Sequence, residues 1–365
     1  MRLIHISDVQ LDAPFTFLGE AGQKHRDQIR KTFSNIVDLS MREGYDVMLI
    51  AGDLFDSNKP SQATVDEVIS LLKRLSIPVC ILPGNHDSYD PTSIYRKINF
   101  PKNVTLFTDS LNVKVYVNLD LAVHGKAVLS RTIKEKPLDG LRPLEDKRWN
   151  VAMAHGSLVI GKVEDPVRPI QPEDIANCGM DYVALGDWHG FAEQSQGTVK
   201  AAYSGAPEPT AFDQIHAGYA ASVSLDEHGV ILEQLRVGRI RSKQVEVKVT
   251  GHTEVEIFEL LHDEAGPEVM LEAVLTGLLD VGVVVDPSWL EGMLTDQTYA
   301  VRVRDQSHPQ LDAISEDDYA PDHVIGRYIE LMKQRIDDAQ DERDRAHAEQ
   351  ALQIGVALLQ GKDVL

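Results

Sequence analysis

Short apolar runs and helix-spaced apolar residues alternate through the first part of the chain. Apolar residues recur at helical spacing in two stretches, which are Ile29, Phe33, Ile36 and Val37, then Val65, Val68, Ile69 and Leu72. Four short runs have the length and composition of buried strands, and they cover residues 47–51, 79–82, 151–154 and 182–185. Ser61, directly after Pro60, is a helix start signal. The alternation predicts an α/β domain with short connections.

The pattern changes after Arg239. Residues 243–250 alternate as a half-buried strand does, and residues 254–261 have a helical pattern. Three further segments are interpreted as a strand, a short helix and a strand, at 268–277, 287–295 and 299–304. This order predicts a small β-α-β-α-β domain.

From residue 321 onward the pattern is helical to the end of the sequence. One apolar face is formed by Tyr328, Ile329, Met332 and Ile336. The charged stretch 337–344 is interpreted as a solvated helix face, and apolar residues return at 351–359. These apolar residues exceed what a free tail needs, so we expect residues 321–365 to dock on a partner, with packing on the same chain as the alternative.

The composition narrows the class of protein. The formal net charge of −21 argues against a broad nucleic-acid surface, because phosphate neutralisation dominates affinity for DNA. A DNA enzyme remains compatible with it if metals, or a partner subunit, supply the positive charge. We see no leader-like segment and no apolar run long enough to cross a membrane. Two cysteines without a disulfide framework fit a reducing compartment, so we expect a cytoplasmic protein with no membrane partner.

Five segments place ligand-type side chains at the end of an apolar run. They are "ISDVQ" with Asp8 and Gln10, "IAGDLFD" with Asp53 and Asp56, "LPGNHD" with Asn85 and His86, "MAHG" with His155, and "LGDWHG" with Asp187 and His189. In open α/β sheets, sites form beyond the carboxyl ends of the strands. Carboxylates, an amide and imidazoles delivered to one rim are what a two-metal site requires.

Each segment alone is weak. An aspartate after glycine is commonly a turn residue, and His155 by itself would be interpreted as a packed core histidine. "GDLFD" followed about thirty residues later by "GNHD", each after an apolar run, is much more specific. The order of all five segments favours chemistry over packing.

This set resembles the calcineurin-like metallophosphoesterases, whose pattern is D-x-H, G-D-x-x-D, G-N-H-D/E, a later histidine and G-H-x-H. The match covers about the first 215 residues, and the flanking sequence is similar to that of the SbcD-type DNA repair nucleases, including their YhaO-like bacterial branch. The resemblance implies a β-sandwich flanked by helices, with a small α/β capping domain and a helical C-terminal tail. It implies the domains 1–239 (nuclease), 240–320 (capping) and 321–365 (partner-docking).

The resemblance also implies a role for each matching residue. Asp53 would bridge two divalent ions. One ion would add Asp8, Gln10 and His189, and the other would add Asn85, His155 and Asp187. His86 would stabilise the transition state and protonate the leaving oxygen, and Asp56 would orient His86.

Two positions depart from the family pattern. Gln10 and Asp187 each stand where the family has a histidine, one on each ion. Both can still bind a metal through oxygen, so the shell is richer in oxygen and more negative by one unit. Hard oxygen ligands suit manganese or magnesium better than zinc. We therefore expect a working site with manganese preferred and magnesium as the alternative.

The leading interpretation is a metal-dependent DNA phosphodiesterase that works in repair or defence with an SMC-like coiled-coil ATPase subunit. The resemblance also allows a homodimer. A phosphodiesterase or phosphatase acting on nucleotides or small phosphoesters is the second hypothesis, and the acidic composition favours it. A catalytically inactive scaffold is the third, supported only by Gln10 and Asp187.

Overall fold

A computed structural model describes residues 1–110, 112–132, 134–159, 167–280, 283–310 and 323–361. The chain divides into two compact units, Met1–Ser242 and Lys243–Leu365. The predicted junction between a capping domain and a tail, near residue 320, lies outside the described residues. That subdivision stays a prediction.

The first unit alternates strands and helices, as the apolar pattern predicts. Its first half consists of β1 (Arg2–Ile6), α1 (Ala21–Arg42), β2 (Val47–Ala51), α2 (Gln62–Arg74), β3 (Val79–Leu82), β4 (Val104–Leu106), β5 (Val113–Tyr116) and β6 (Leu121–Gly125). Its second half consists of β7 (Trp149–His155), β8 (Ser157–Leu158), β9 (Pro169–Ile170), α3 (Pro172–Ala176), β10 (Tyr182–Gly186), β11 (Ala192–Glu193), β12 (Lys200–Tyr203), β13 (Tyr219–Asp226) and β14 (Gly229–Arg236).

Two six-stranded sheets form this unit. Their strand orders are β14-β13-β1-β2-β3-β4 and β11-β12-β10-β7-β6-β5. The central strands β1 to β4 run parallel in the first sheet, and β6, β7, β10 and β12 run parallel in the second. One apolar core joins the sheets, with Leu3, Val47 and Cys80 from the first and Val123, Val151 and Tyr182 from the second. The expected β-sandwich is confirmed.

Helices cover the outer faces, which explains the continuous apolar runs. Every residue of β2 is buried, so this strand is covered on both faces, as parallel strands in α/β folds are. Helix α2 begins after Ser61, whose side chain accepts a hydrogen bond from the Thr64 backbone N–H. The predicted helix start is therefore confirmed.

The second unit contains the predicted β-α-β-α-β order. Its elements are β15 (Arg241–Lys248), which begins at the boundary, α4 (Glu254–His262), β16 (Val269–Thr276), β17 (Leu278–Leu279), α5 (Pro287–Leu294), β18 (Ala300–Asp305) and β19 (His308–Pro309). Strands β15, β16 and β18 form one sheet in that order. Val249, Ile257 and Leu290 are among the buried residues of its core.

Two helices end the described chain, α6 (Val324–Asp337) and α7 (Glu342–Leu359). They pack on each other through a core that includes Ile329 and Leu352. Helix α7 also meets the rest of its unit, because His308 Nδ1 lies 2.9 Å from Glu349 Oε2. Part of the apolar surface expected to dock on a partner is thus used within the chain.

The interpretation of residues 337–344 as one helix face is wrong. The chain turns between α6 and α7 in this stretch, and the Asp341 side chain caps α7 by accepting from the Asp344 backbone N–H. Acidic residues next to a helix start satisfy free N–H groups and interact well with the helix dipole. The charges therefore mark a helix boundary.

Among the described residues, the helices are all too short or too polar to cross a membrane.

The pH dependence of stability follows from His25, a buried residue of α1 whose Nε2 lies 2.8 Å from the Pro209 carbonyl oxygen. Burial lowers the pKa of His25 to about 4. Below its ordinary pKa of 6.5 the unfolded chain binds a proton that the folded chain does not, so folding weakens as pH falls towards 4. Below pH 4 both states are protonated, so the free energy of unfolding no longer changes with pH through His25, and the stability lost at higher pH is not regained.

We predict that His25→Gln, which keeps a donor for Pro209, flattens this dependence. Urea titrations from pH 7 to 4 should show that the free energy of unfolding falls more steeply with pH in the wild type than in the variant. The difference in slope should be up to about 1.4 kcal/mol per pH unit. Parallel curves for the two proteins would show that His25 is not the titrating group.

Candidate metal centre

The candidate ligands lie at the carboxyl ends of five parallel strands. Asp8 follows β1, Asp53 follows β2, Asn85 follows β3, His155 ends β7 and Asp187 follows β10. Because β1, β2 and β3 are parallel neighbours, and β7 and β10 are too, each sheet of the sandwich brings its strand ends to one edge. The two edges meet at this site.

The backbone is strained where the ligands leave the strands. Asp8, Gln10, Asp53 and Asp187 all have positive φ, at 54°, 49°, 53° and 104°. Such conformations are uncommon for residues other than glycine and concentrate at functional sites. Gly84 has a steric reason to be glycine, because a Cβ there would collide with the Asp53 carboxylate. The tight turns bring the ligands together.

Asp8, Asp53 and His155 form the centre. All three are buried, and one ligand atom from each lies within 4.8 Å of the others. His155 Nε2 lies 3.5 Å from Asp53 Oδ2 and 3.7 Å from Asp187 Oδ1, and it lies 2.7 Å from Asn85 Oδ1. Two ligands on adjacent positions of an octahedral ion, each at about 2.1 Å, are roughly 3 Å apart. The side chains of Asp53, Asn85, His155 and Asp187 therefore have the spacing of ligands to one ion.

A second group lies at Asp8. His189 Nε2 lies 3.8 Å from Asp8 Oδ1 and 3.2 Å from Gln10 Nε2. Gln10 would bind a metal through Oε1, which a half-turn of the amide brings to the same position. The predicted residues are thus brought together, while their assignment as ligands and the bridging role of Asp53 stay predictions.

Both histidines are held through Nδ1, and Nε2 of each faces a candidate carboxylate ligand. His155 Nδ1–H donates to the Ala51 carbonyl oxygen at 2.9 Å, so Nε2 is the nitrogen that faces Asp53. His189 Nδ1 lies 2.6 Å from Gln214 Nε2 and 3.0 Å from Thr210 Oγ1, and these contacts orient its ring. Partners of this kind orient metal-binding imidazoles.

The cluster has an excess of negative charge. Burial disfavours the charged form of His155, yet the carboxylates of Asp53, Asp8 and Asp187 raise its pKa to about 10. Burial raises the pKa of Asp8. The protein alone therefore holds a proton on His155, and a divalent cation would replace that proton. The donor set fits two such ions.

His86 lies beside the centre and contacts it through its backbone. Its N–H donates to Asp53 Oδ1 at 2.9 Å, while its imidazole is partly exposed. His86 Nδ1 lies 2.9 Å from the backbone carbonyl oxygen of Asp56 and 3.7 Å from the carboxylate. Asp56 thus contacts His86 more closely through its main chain than through the side chain that the sequence singled out.

Two residues that support the site were missed in the sequence. Asp87 is buried and accepts hydrogen bonds from the Phe55 and Gly84 backbone and from the Tyr95 hydroxyl. It ties the loops after β2 and β3 together, and its place inside "GNHD" was the available signal. Arg168 is the other, with Nη2 at 3.2 Å from Asp187 Oδ1, and no pattern marked it.

The fold and the strand-end ligands define a metallophosphoesterase. The family model for calcineurin-like phosphoesterases matches residues 1–196, more than half of the chain. The chain belongs to the calcineurin-like phosphoesterase family.

Individual relatives are similar at modest identity. The uncharacterised metallophosphoesterase YhaO of Bacillus subtilis is 28% identical over 52% of this chain and 48% of its own length. The DNA double-strand break repair protein Mre11 of Aeropyrum pernix is 27% identical over 68% of this chain and 64% of its own. The SbcD component of the nuclease SbcCD from Staphylococcus epidermidis is 22% identical over 68% of this chain and 72% of its own. The match thus spans about half of YhaO and under two thirds of the Aeropyrum protein. The predicted resemblance to the SbcD-type nucleases and to their YhaO-like branch is confirmed.

We predict that Asp53→Asn removes both ions, because the family resemblance assigns this carboxylate to both of them. Metal analysis after dialysis against manganese should show two ions per chain in the wild type and neither in the variant. Asp56→Asn is the matched control, since its carboxylate faces His86, and it should keep both ions. Retention of one tightly bound ion in Asp53→Asn would show that the carboxylate is not shared.

Proposed function

We propose that this chain is a divalent-metal-dependent phosphodiesterase that hydrolyses DNA. The observation that carries the proposal is the buried cluster of Asp8, Asp53 and His155 at the strand ends of a calcineurin-like domain. Three buried ionisable groups at this separation are costly without cations, and structural packing gives no reason for them.

Each ligand group would hold one ion. Asp53 would contribute to both, with Asp8, Gln10 and His189 on one side and Asn85, His155 and Asp187 on the other. When bound, two divalent ions would activate a water and stabilise the charge on the attacking and leaving oxygens. The oxygen-rich set, with Gln10 and Asp187 in place of imidazoles, favours manganese or magnesium over zinc.

His86 would act on the leaving oxygen. Its Nδ1 is held by the Asp56 carbonyl, so the ring has a fixed orientation and Nε2 is left for the substrate. A protonated imidazole there stabilises the transition state and donates its proton as the phosphorus–oxygen bond breaks. Its partial exposure allows the proton to be replaced from solvent.

DNA as substrate is supported by relatives whose names describe DNA double-strand break repair and a nuclease. The net charge of −21 requires positive charge from elsewhere for a long duplex. We propose an SMC-like ATPase subunit as its source, docked on α6 and α7, where Leu331 and Leu358 remain exposed. The same acidity would suit a small phosphoester, so the assay must include both substrate types.

The proposal is tested with linear DNA and a bis-aryl phosphodiester, in manganese and after chelation. We predict hydrolysis of both that chelation abolishes. His86→Ala should lower turnover by about 100- to 10,000-fold, the usual range for a general acid, with unchanged manganese content. His228→Ala, at an exposed remote histidine, is the control and should match the wild type.

Two results would contradict the assignment. Loss of manganese in His86→Ala would place this histidine among the ligands. Hydrolysis of nucleotides or small phosphoesters, with no hydrolysis of DNA, would show that DNA is not the substrate, although the metal-dependent hydrolysis would still be supported.

A further inference from the structure

Arg168 is a buried arginine beside the candidate metal centre. It directly precedes β9, and only 4% of its surface is exposed. Gly156, next to His155, makes room for it, because a Cβ at residue 156 would collide with the Arg168 carbonyl oxygen. Arg168 is thereby held against the end of β7.

One corner of its guanidinium faces the ligand set. Nη2 lies 3.2 Å from Asp187 Oδ1, and Ser157 donates to the other oxygen of that carboxylate. Burial lowers the pKa of Arg168, while the carboxylates of Asp187, Asp53 and Asp8 act in the opposite direction. The cation therefore lies in the field of all three carboxylates.

The other donors of this guanidinium are unused. Nε and Nη1 are buried and have no hydrogen-bond partner within the part of the chain that the structure describes. A buried donor without a partner costs roughly 1–3 kcal/mol. The backbone of Arg168 is also strained, with φ of 45°. A ligand oxygen would satisfy Nη1, whereas the Nε–H bond points away from Nη1 and needs a separate acceptor.

The charge count indicates what that ligand is. Three carboxylates against two divalent ions leave one positive charge, whereas two carboxylates, as in the family pattern, leave two. A phosphodiester carries one negative charge and gains a second as it is attacked, so two positive charges balance it. The arginine restores the charge that the substitution of histidine by Asp187 removes.

We propose that Arg168 binds the substrate, with Nη1 donating to a non-bridging oxygen of the phosphate while Nη2 stays on Asp187. This assignment rests on the proposed phosphodiesterase function and adds a substrate-binding residue to it. The planar guanidinium donates to the phosphate and to Asp187 from two different nitrogens at once, in a fixed geometry that a lysine cannot reproduce. The competing partner is a water in the small cavity that Arg168 lines with His155, Lys126 and Lys136.

The test measures phosphate binding apart from turnover. Protein loaded with stoichiometric manganese is titrated with inorganic phosphate by calorimetry, and manganese content and thermal unfolding are recorded for each variant. Arg168→Met removes the cation at similar volume, and Arg168→Lys keeps the charge without the planar guanidinium. Arg148→Met is the matched control, because it removes the same charge from the opposite end of β7, roughly 20 Å away.

We expect Arg168→Met to weaken phosphate binding by about 10- to 100-fold with manganese content unchanged. Arg168→Lys should bind phosphate more weakly than the wild type, and this variant decides the question if the methionine variant does not fold. Arg148→Met should match the wild type.

Unchanged phosphate affinity in Arg168→Met, or no phosphate binding by the wild type, would overturn the assignment and favour the water. Loss of manganese from Arg168→Met would also overturn the assignment, because Arg168 would then affect phosphate binding only through the metal ligand Asp187. Failure of the proposed function is separate: phosphate bound through Arg168 by a protein that hydrolyses neither DNA nor the bis-aryl ester would leave this assignment standing.

Discussion

The burial of several carboxylates in one small space is the constraint on which the rest of the site depends. Asp8 and Asp53 are almost completely shielded from water, and their ligand atoms lie within 4.8 Å of each other and of His155. Ionised carboxylates so placed repel each other and have lost their hydration. The arrangement is stable only when positive charge lies between them, so the fold holds a place for cations.

The surrounding structure keeps this repulsion from pushing the ligands apart. Parallel strands from both sheets end at the same edge, and an apolar core fixes the sheets against each other. Backbone contacts then set each loop: the Asp8 backbone N–H donates to the Gly52 carbonyl, and Asp87 joins the loops after β2 and β3. The strain at Asp8 and Asp53 is maintained by these contacts.

The sequence predicted the fold and most of the candidate site because both depend on local patterns. The apolar runs before Asp8, Asp53 and His155 can be identified in the amino-acid sequence alone. The turn at Asp341 was missed because charge alone does not distinguish a helix face from a helix start. Arg168 could not be found, since nothing in the sequence around it shows that it lies against the end of β7.

The central claim is that an oxygen-rich shell around Asp53 still binds two ions. A calorimetric manganese titration of the wild type, beside the double variant Gln10→His/Asp187→His, tests it most directly. We predict two ions per chain in the wild type, and binding by the double variant that shifts in favour of zinc. A wild type that binds no second ion at millimolar manganese, while the double variant binds two, would contradict this claim.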